Sequence, residues 1–197
     1  MTGSGKTVNI FLSGVGGQGT ILASNILGQV LLNAGHDVKK AEVHGMAQRG
    51  GDVTTHFRYG PKVDSPLIRQ GDADFLISFE LLEALRYINW VKPEGKVLLN
   101  DHKIFPPGVN LGQVEYPSDI AATFRKHFNG NVWVVGGRDI AKSLGNIQVA
   151  NVVLLGALSN FFPDLETEKW IDVLKDILPS RLHDINIRAF REGRQAI

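Results

Sequence analysis

The sequence predicts an α/β fold: a Rossmann-like, doubly wound, mostly parallel sheet with one half-exposed strand and a helical C-terminal end. Three observations carry this. The chain opens as strand, glycine turn, helix, strand, the beginning of a doubly wound sheet. Short apolar runs then alternate with stretches of helical spacing as far as residue 135. From residue 147 onward the apolar residues keep to helical spacing.

The elements follow in order. "TVNIFLSG" is a short apolar strand that ends at glycine. "TILASNILGQVLLNAG" places Ile21, Leu22, Ile26, Val30 and Leu31 at helical spacing, and Gly35 stands where a C-cap belongs. "DVKKAEV" is a second strand. A polar, glycine-containing loop leads into Val53–Tyr59, where Val53, Thr55, Phe57 and Tyr59 share one face and Thr54, His56 and Arg58 the other. That alternation predicts a half-exposed, antiparallel strand. "DFLISFE" is a buried strand, "LLEALRYINWV" a helix, "GKVLLND" a strand, "VEYP" a short strand, "SDIAATFRKHF" a helix and "NVWVVG" the last strand. Three helices close the chain: "IQVANVVLLGALSNFF", "ETEKWIDVLKDIL" and "LHDINIRAFREGRQAI".

At 197 residues, with no repeat, low-complexity tract or linker, residues 1–197 read as one domain behind a disordered lead at 1–7. The content of 43% hydrophobic and 21% charged residues is that of a soluble globule. A net charge of +1 and the lack of any lysine- or arginine-rich run argue against a nucleic-acid partner. No apolar run reaches transmembrane length, and the start lacks a signal-peptide pattern, so the expected location is cytoplasmic, away from membranes. The chain contains no cysteine, which excludes disulfides, thiolate zinc sites and cysteine-held iron–sulfur clusters on it.

Two glycine-rich stretches compete as phosphate cradles. Gly3-Ser4-Gly5-Lys6-Thr7 fails, because a P-loop needs an earlier glycine and a buried strand before it. Gly14-Val15-Gly16-Gly17-Gln18-Gly19 has the right setting, between a strand and a helix. Gly14 permits the tight turn, Gly16 lets a phosphate approach the backbone, and Gly19 lets helix and strand pack closely. The helix N-terminus beyond offers free amides and a positive dipole end. A tight turn that binds nothing is the alternative. Gln18 stands where a nicotinamide-binding fold often has an apolar side chain, and offers its amide to a ligand or a neighbouring chain. Glu42 lies 23 residues past Gly19, where a ribose-binding carboxylate is expected, although a solvated or salt-bridged strand-end glutamate fits it better.

The segment "EVHGMAQRGGDV" gathers His44, Gln48 and Arg49 between Gly45 and the Gly50-Gly51 pair. Arg49 can fork onto a phosphate or carboxylate, and His44 can donate, accept or titrate near neutrality. A structural histidine and a salt-bridged arginine are the plainer readings of each alone. Together they sit after strand two, on the carboxyl-end rim where such folds bind ligands.

"GVGGQG…LASNIL" followed by "EVHGMAQRGGDVTTHFRYG" resembles the γ-type domain of 2-oxoacid:ferredoxin oxidoreductases, and "HGMAQRGG" is most similar to the β subunit of the indolepyruvate enzymes. "GNIQVANVVLLGAL" and "INIRAFREG" agree, so the resemblance covers residues 8–194. It implies oxidative decarboxylation of a 2-oxoacid, with thiamine diphosphate stabilising the carbanion. Iron–sulfur clusters carry the electrons to ferredoxin, and coenzyme A takes the acyl group. It also implies that thiamine diphosphate, magnesium and the 4Fe-4S clusters sit on a larger partner subunit. This chain lacks cysteine and has only Gly71-Asp72-Ala73 as a partial thiamine motif, which reads as a turn before a strand. The chain would then complete the partner's active-site region. Gly14, Gly16, Gly17, Gln18 and Gly19 would receive the coenzyme A pyrophosphate or line its channel, with His44, Gln48, Arg49 and Gly50 facing the partner. No catalytic residue and no metal ligand is assigned to this chain.

Phe161, Phe162, Trp170 and the helix "LHDINIRAF" are candidates for the partner interface, through which the isolated chain would self-associate. Two other readings stay open. One is a free-standing NAD-dependent oxidoreductase built on the glycine turn and Glu42. It lacks a hydride site, since Tyr59, Tyr87 and Tyr116 have no lysine four residues later. The other is a non-catalytic interaction module.

Overall fold

A computed structural model describes residues 5–45 and 51–197. Its strands are β1 (Val8–Val15), β2 (Asp37–His44), β3 (Asp52–Gly60), β4 (Ala73–Ser78), β5 (Val91–Asn100) and β6 (Val132–Val135). They form one sheet in the order β2-β3-β1-β4-β5-β6. β1, β4, β5 and β6 pair in parallel. β2 and β3 pair antiparallel, and β3 docks antiparallel on β1, from Val8 opposite Tyr59 to Val15 opposite Asp52. β2 therefore runs parallel to β1 with one reversed strand between them. The fold is α/β, doubly wound and mostly parallel.

Alternation along each strand feeds two cores. Ile10, Leu12, Ile77 and Leu98 face one side of the sheet; Phe11, Leu76, Val97 and Leu99 face the other. The first side is covered by α1 (Thr20–Asn33), α5 (Gly137–Ser143), α6 (Ala150–Ser159), α7 (Thr167–Ile177) and α8 (His183–Gln195). The second is covered by α2 (Leu81–Arg86) and α4 (Ile120–His127), while α3 (Pro107–Asn110) is a single turn between β5 and α4. α1 ends as its glycine predicts. Gly35 takes φ 86°, its N–H bonds to Leu32 O, and His36 N–H bonds to Leu31 O, the paired bonds of a Schellman cap.

α6 is buried from Asn151 to Ser159, as an apolar helix must be. It crosses α8 at contact distance through two glycines. A Cβ on Gly156 would strike the carbonyl of Phe190, and one on Gly193 the carbonyl of Val153. No helix among the described residues is long and apolar enough to cross a membrane.

Several expectations need correction. β3 is antiparallel but not half-exposed: Val53 to Phe57 are buried. On its polar face His56 and Arg58 bond to the loop at residues 61–72 instead of to water. Ile68 N–H donates to His56 Nδ1 at 3.1 Å, and Arg58 donates to Ser65 O at 2.6 Å. The helix predicted over 81–91 stops at Arg86. Tyr87 and Trp90 pack on Phe11, with centroids 5.0 and 4.7 Å away, and the strand starts early at Val91. "VEYP" is not a strand; Tyr116 is drawn inward to Glu80 at 3.1 Å. α5 was hidden in a glycine pair that reads as the end of a strand. The proposed interface aromatics Phe162, Trp170 and Phe190 are core residues, 3%, 0% and 0% exposed. Phe161 is half-buried against Trp133 at 4.7 Å.

Candidate functional site

β1 ends at the rim where the strand order reverses between β3 and β4, the position at which doubly wound sheets bind ligands. The turn after it is built as glycine chemistry requires. Gly17 and Gly19 take φ 96° and 78°, a region side chains avoid. At Gly14 a Cβ would meet Gln18 Oε1 at 2.9 Å and Phe79 Cβ at 3.0 Å. At Gly19 it would meet Asn151 of α6, whose Nδ2 donates to Gly19 O at 3.3 Å.

Part of the cradle is closed by the protein itself. Gln18 Oε1 accepts from Val15 N–H at 2.7 Å and Gln18 Nε2 donates to Phe79 O at 3.1 Å. Gln18 is thus a staple between the ends of β1 and β4, not the outward-facing amide that the sequence led us to expect. Gly16 N–H bonds to Gly51 O at 2.9 Å and ties the turn to the β2–β3 hairpin. Beyond this point the backbone is open. The N–H groups of Gly17, Gly19, Thr20 and Ile21 have no acceptor among the described residues, and no side chain caps α1.

These amides border a cleft of about 750 Å³. Gly16, Gly17, Gly19, Thr20, Ile21, Leu22 and Asn25 form one wall; His44, Gly45 and Val53 form the other. The structure therefore brings His44 and three of the glycines together. Gly14 is a packing residue beneath the turn and does not line the cleft. Gln48, Arg49 and Gly50 lie outside the described residues.

Glu42 does not line the cleft. It takes Lys40 Nζ at 2.6 Å, with His44 Nε2 at 3.9 Å, the salt-bridged strand-end role anticipated for it. The reason is topological. β3 stands between β1 and β2, so the end of β2 is displaced by one strand spacing, about 4.8 Å, from the place a ribose carboxylate occupies when the two strands are neighbours.

Sequence reasoning missed Asn25 and Asn151. Asn25 sits on the first helix, hidden within its amphipathic pattern. Asn151 lies 132 residues from the turn it touches. Its only signal is an amide in an otherwise apolar helix.

Comparisons with known proteins place the chain in a family. Residues 9–196 match the family described as pyruvate ferredoxin/flavodoxin oxidoreductase. The chain is 40% identical to the indolepyruvate oxidoreductase subunit IorB of Thermococcus kodakarensis, over 97% of this chain and 96% of the relative. The pyruvate oxidoreductase subunit PORC of Thermotoga maritima superposes with a TM-score of 0.73 at 24% identity, covering 98% and 97% of the two chains. The 2-oxoglutarate:ferredoxin oxidoreductase of Magnetococcus marinus, solved with 2-oxoglutarate, coenzyme A and succinyl-CoA, gives a TM-score of 0.72 at 22% identity over 98% of this chain and 31% of that one. With residues 9–196 matched by one family, the chain belongs to the pyruvate ferredoxin/flavodoxin oxidoreductase family.

Proposed function

We propose that this chain is the cluster-free small subunit of an indolepyruvate-type 2-oxoacid:ferredoxin oxidoreductase, working in the cytoplasm as one γ-type domain over residues 8–194. Its glycine-loop cleft takes the pyrophosphate of coenzyme A at the mouth of the partner's active site. The observation that carries this is the run of open amides at Gly17, Gly19, Thr20 and Ile21 on the wall of a cleft shared with His44. Amides at a helix N-terminus are an anion site, and about 750 Å³ falls in the range of nucleotide-sized pockets. Ile21, Leu22 and Val53 give the apolar wall a nucleoside would lie on.

The redox chemistry belongs to the partner. With no cysteine, this chain has no thiolate for an iron–sulfur cluster. The Gly71-Asp72 pair forms a turn into β4, with Asp72 N–H bonded to Arg69 O, at the opposite end of the sheet from the cleft. Thiamine diphosphate on the larger subunit would supply the carbanion stabilisation, and clusters there would pass electrons to ferredoxin. This chain's part is to hold and orient the acyl acceptor and to cover the site.

Calorimetric titration of coenzyme A and NAD into the full chain tests the reading. Coenzyme A binding without NAD binding supports it; NAD binding alone overturns it in favour of a free-standing dehydrogenase. No binding of either, together with normal assembly, leaves the interaction module. In the assembled enzyme Arg49→Ala raises the coenzyme A KM; an unchanged KM removes Arg49 from the site.

A further inference from the structure

A second cleft of about 150 Å³ opens on the other side of Gly17, over the carboxyl ends of β4 and β5. Its polar lining comes from Gln18, Asn100, His102, Arg138, Gln148 and Asn151, with Phe79 as an apolar wall. Three of these groups are spent on the fold, Gln18 as the staple between β1 and β4. Asn100 Nδ2 donates to Phe79 O at 3.1 Å and its Oδ1 accepts from Gly137 N–H at 3.0 Å. Asn151 donates to Gly19 O and accepts from Val152 N–H at 2.9 Å. They make rigid walls.

Arg138 is different. Its side chain is exposed at the rim of the cleft, and among the described residues no carboxylate lies within ion-pair distance of it. Its one neighbour of note is His102, whose Nε2 lies 3.4 Å from Arg138 Nη1. A guanidinium only donates, so this Nε2 is the acceptor and the ring proton sits on Nδ1. Burial, reinforced by the Arg138 charge, holds the His102 pKa below its ordinary value and keeps the ring neutral. The backbone of His102 is pinned on both sides: its N–H donates to Asn100 O and its carbonyl accepts from Leu81 N–H. A fixed imidazole thus steadies one arm of a guanidinium whose other donors are unclaimed. The Gln148 carboxamide beside it also has no partner among the described residues.

We propose that this smaller cleft is a carboxylate-binding site, with Arg138 as its anchor, Gln148 as a second donor and His102 as the positioning residue. Size and charge choose the ligand. The cleft is about half the smallest volume usual for a small-molecule pocket, so it admits a group of a few heavy atoms. One cation faces it, while Glu80 and Asp101 lie close enough to act on His102. A monoanion is balanced there; a phosphate dianion is not. A carboxylate also matches the planar fork of arginine. The group belongs either to a free small acid or to an acidic side chain of the partner subunit.

The test follows the His102 ring signal by NMR while acetate, pyruvate or inorganic phosphate is added to the full chain. Acetate and pyruvate give a saturable shift and raise the His102 pKa, because a bound anion offsets the Arg138 charge. Arg138→Gln weakens binding about tenfold or more, while Arg138→Lys, which keeps the charge and loses the fork, falls between. In the assembled enzyme a persisting response identifies a free acid as the ligand. A blocked response, with subunit association weakened by Arg138→Gln, identifies a partner side chain. An unsaturable shift, the same shift in Arg138→Gln, or tighter binding of phosphate than of acetate overturns the proposal.

Discussion

Replacing Gln18 with alanine separates its role as a staple from a role in ligand binding. The substitution removes the acceptor of Val15 N–H and the donor to Phe79 O, bonds of 2.7 and 3.1 Å. Both backbones are buried, with Val15 7% and Phe79 2% exposed. Only Val15 N–H is orphaned, because Asn100 Nδ2 still donates to Phe79 O at 3.1 Å. An orphaned buried group costs about 1–3 kcal/mol, and because Gln18 is half-buried the space it leaves can admit water, so the low end applies. The loss is about 1 kcal/mol, which in a chain of this length lowers Tm by about 2–4 °C. Differential scanning calorimetry of the full chain reads this directly. Gln18→Glu sharpens the test. It keeps an oxygen for Val15 N–H but sets a second oxygen against the Phe79 carbonyl, so it is at least as destabilising as alanine. A Tm within about 1 °C of wild type for both variants refutes the staple. Lost coenzyme A binding at an unchanged Tm would return Gln18 to the ligand.

Three other expectations follow from the same structure. Gly156→Ala and Gly193→Ala each drive a methyl into the backbone of the opposing helix; each lowers stability by about 3 kcal/mol or more, read as a lower urea midpoint with an unchanged slope. Glu80, 1% exposed, accepts from Glu83 N–H, Ile104 N–H and Tyr116 O–H, so Glu80→Gln, which turns a donor toward donors, costs about 2–4 kcal/mol in the same assay. Burial lowers the His56 pKa below 6.5, so the unfolded chain binds the proton more readily. Stability then rises with pH up to about 6.5 and is flat above it, and acidification to about pH 5.5 lowers Tm. Glu83, whose pKa is raised chiefly by burial, contributes the opposite slope above 4.5. Comparison with His56→Gln isolates the histidine: the variant loses part of the acid-side slope, and an identical profile rejects the assignment.

The glycine turn was legible because its demands are local. A positive φ at Gly17 and Gly19 and the lack of room at Gly14 are set by a strand and a helix adjacent in sequence. The Schellman end of α1 was readable for the same reason. Gln18 was misread because its partner Phe79 lies 61 residues away, and only the β1–β4 pairing brings them together. The alternation of β3 was read correctly as antiparallel. Its exposure was not, because polar residues in a covered strand look the same in sequence as polar residues facing water. Here the loop at 61–72 bonds His56 and Arg58. The interface aromatics failed for a plainer reason: Trp170 and Phe190 stack on each other at 5.8 Å inside the core. Arg138 carried no sequence signal, since an unpaired charge is recognisable only when its surroundings are known.

The reversed strand between β1 and β2 has a kinetic consequence. β2 and β3 are joined only by the short stretch from residue 45 to 51, and β2 lies at the sheet edge, held laterally by β3 alone. β2 is therefore the strand that loosens first, because β3 pairs with β1 along its length and is anchored in the core by Phe57 and Tyr59. Amide hydrogens of β2 should exchange with solvent earlier than those of β3, β1 and β4. Because β2 ends at His44 on the wall of the large cleft, the same loosening would shift that wall and give a bulky ligand a way in and out.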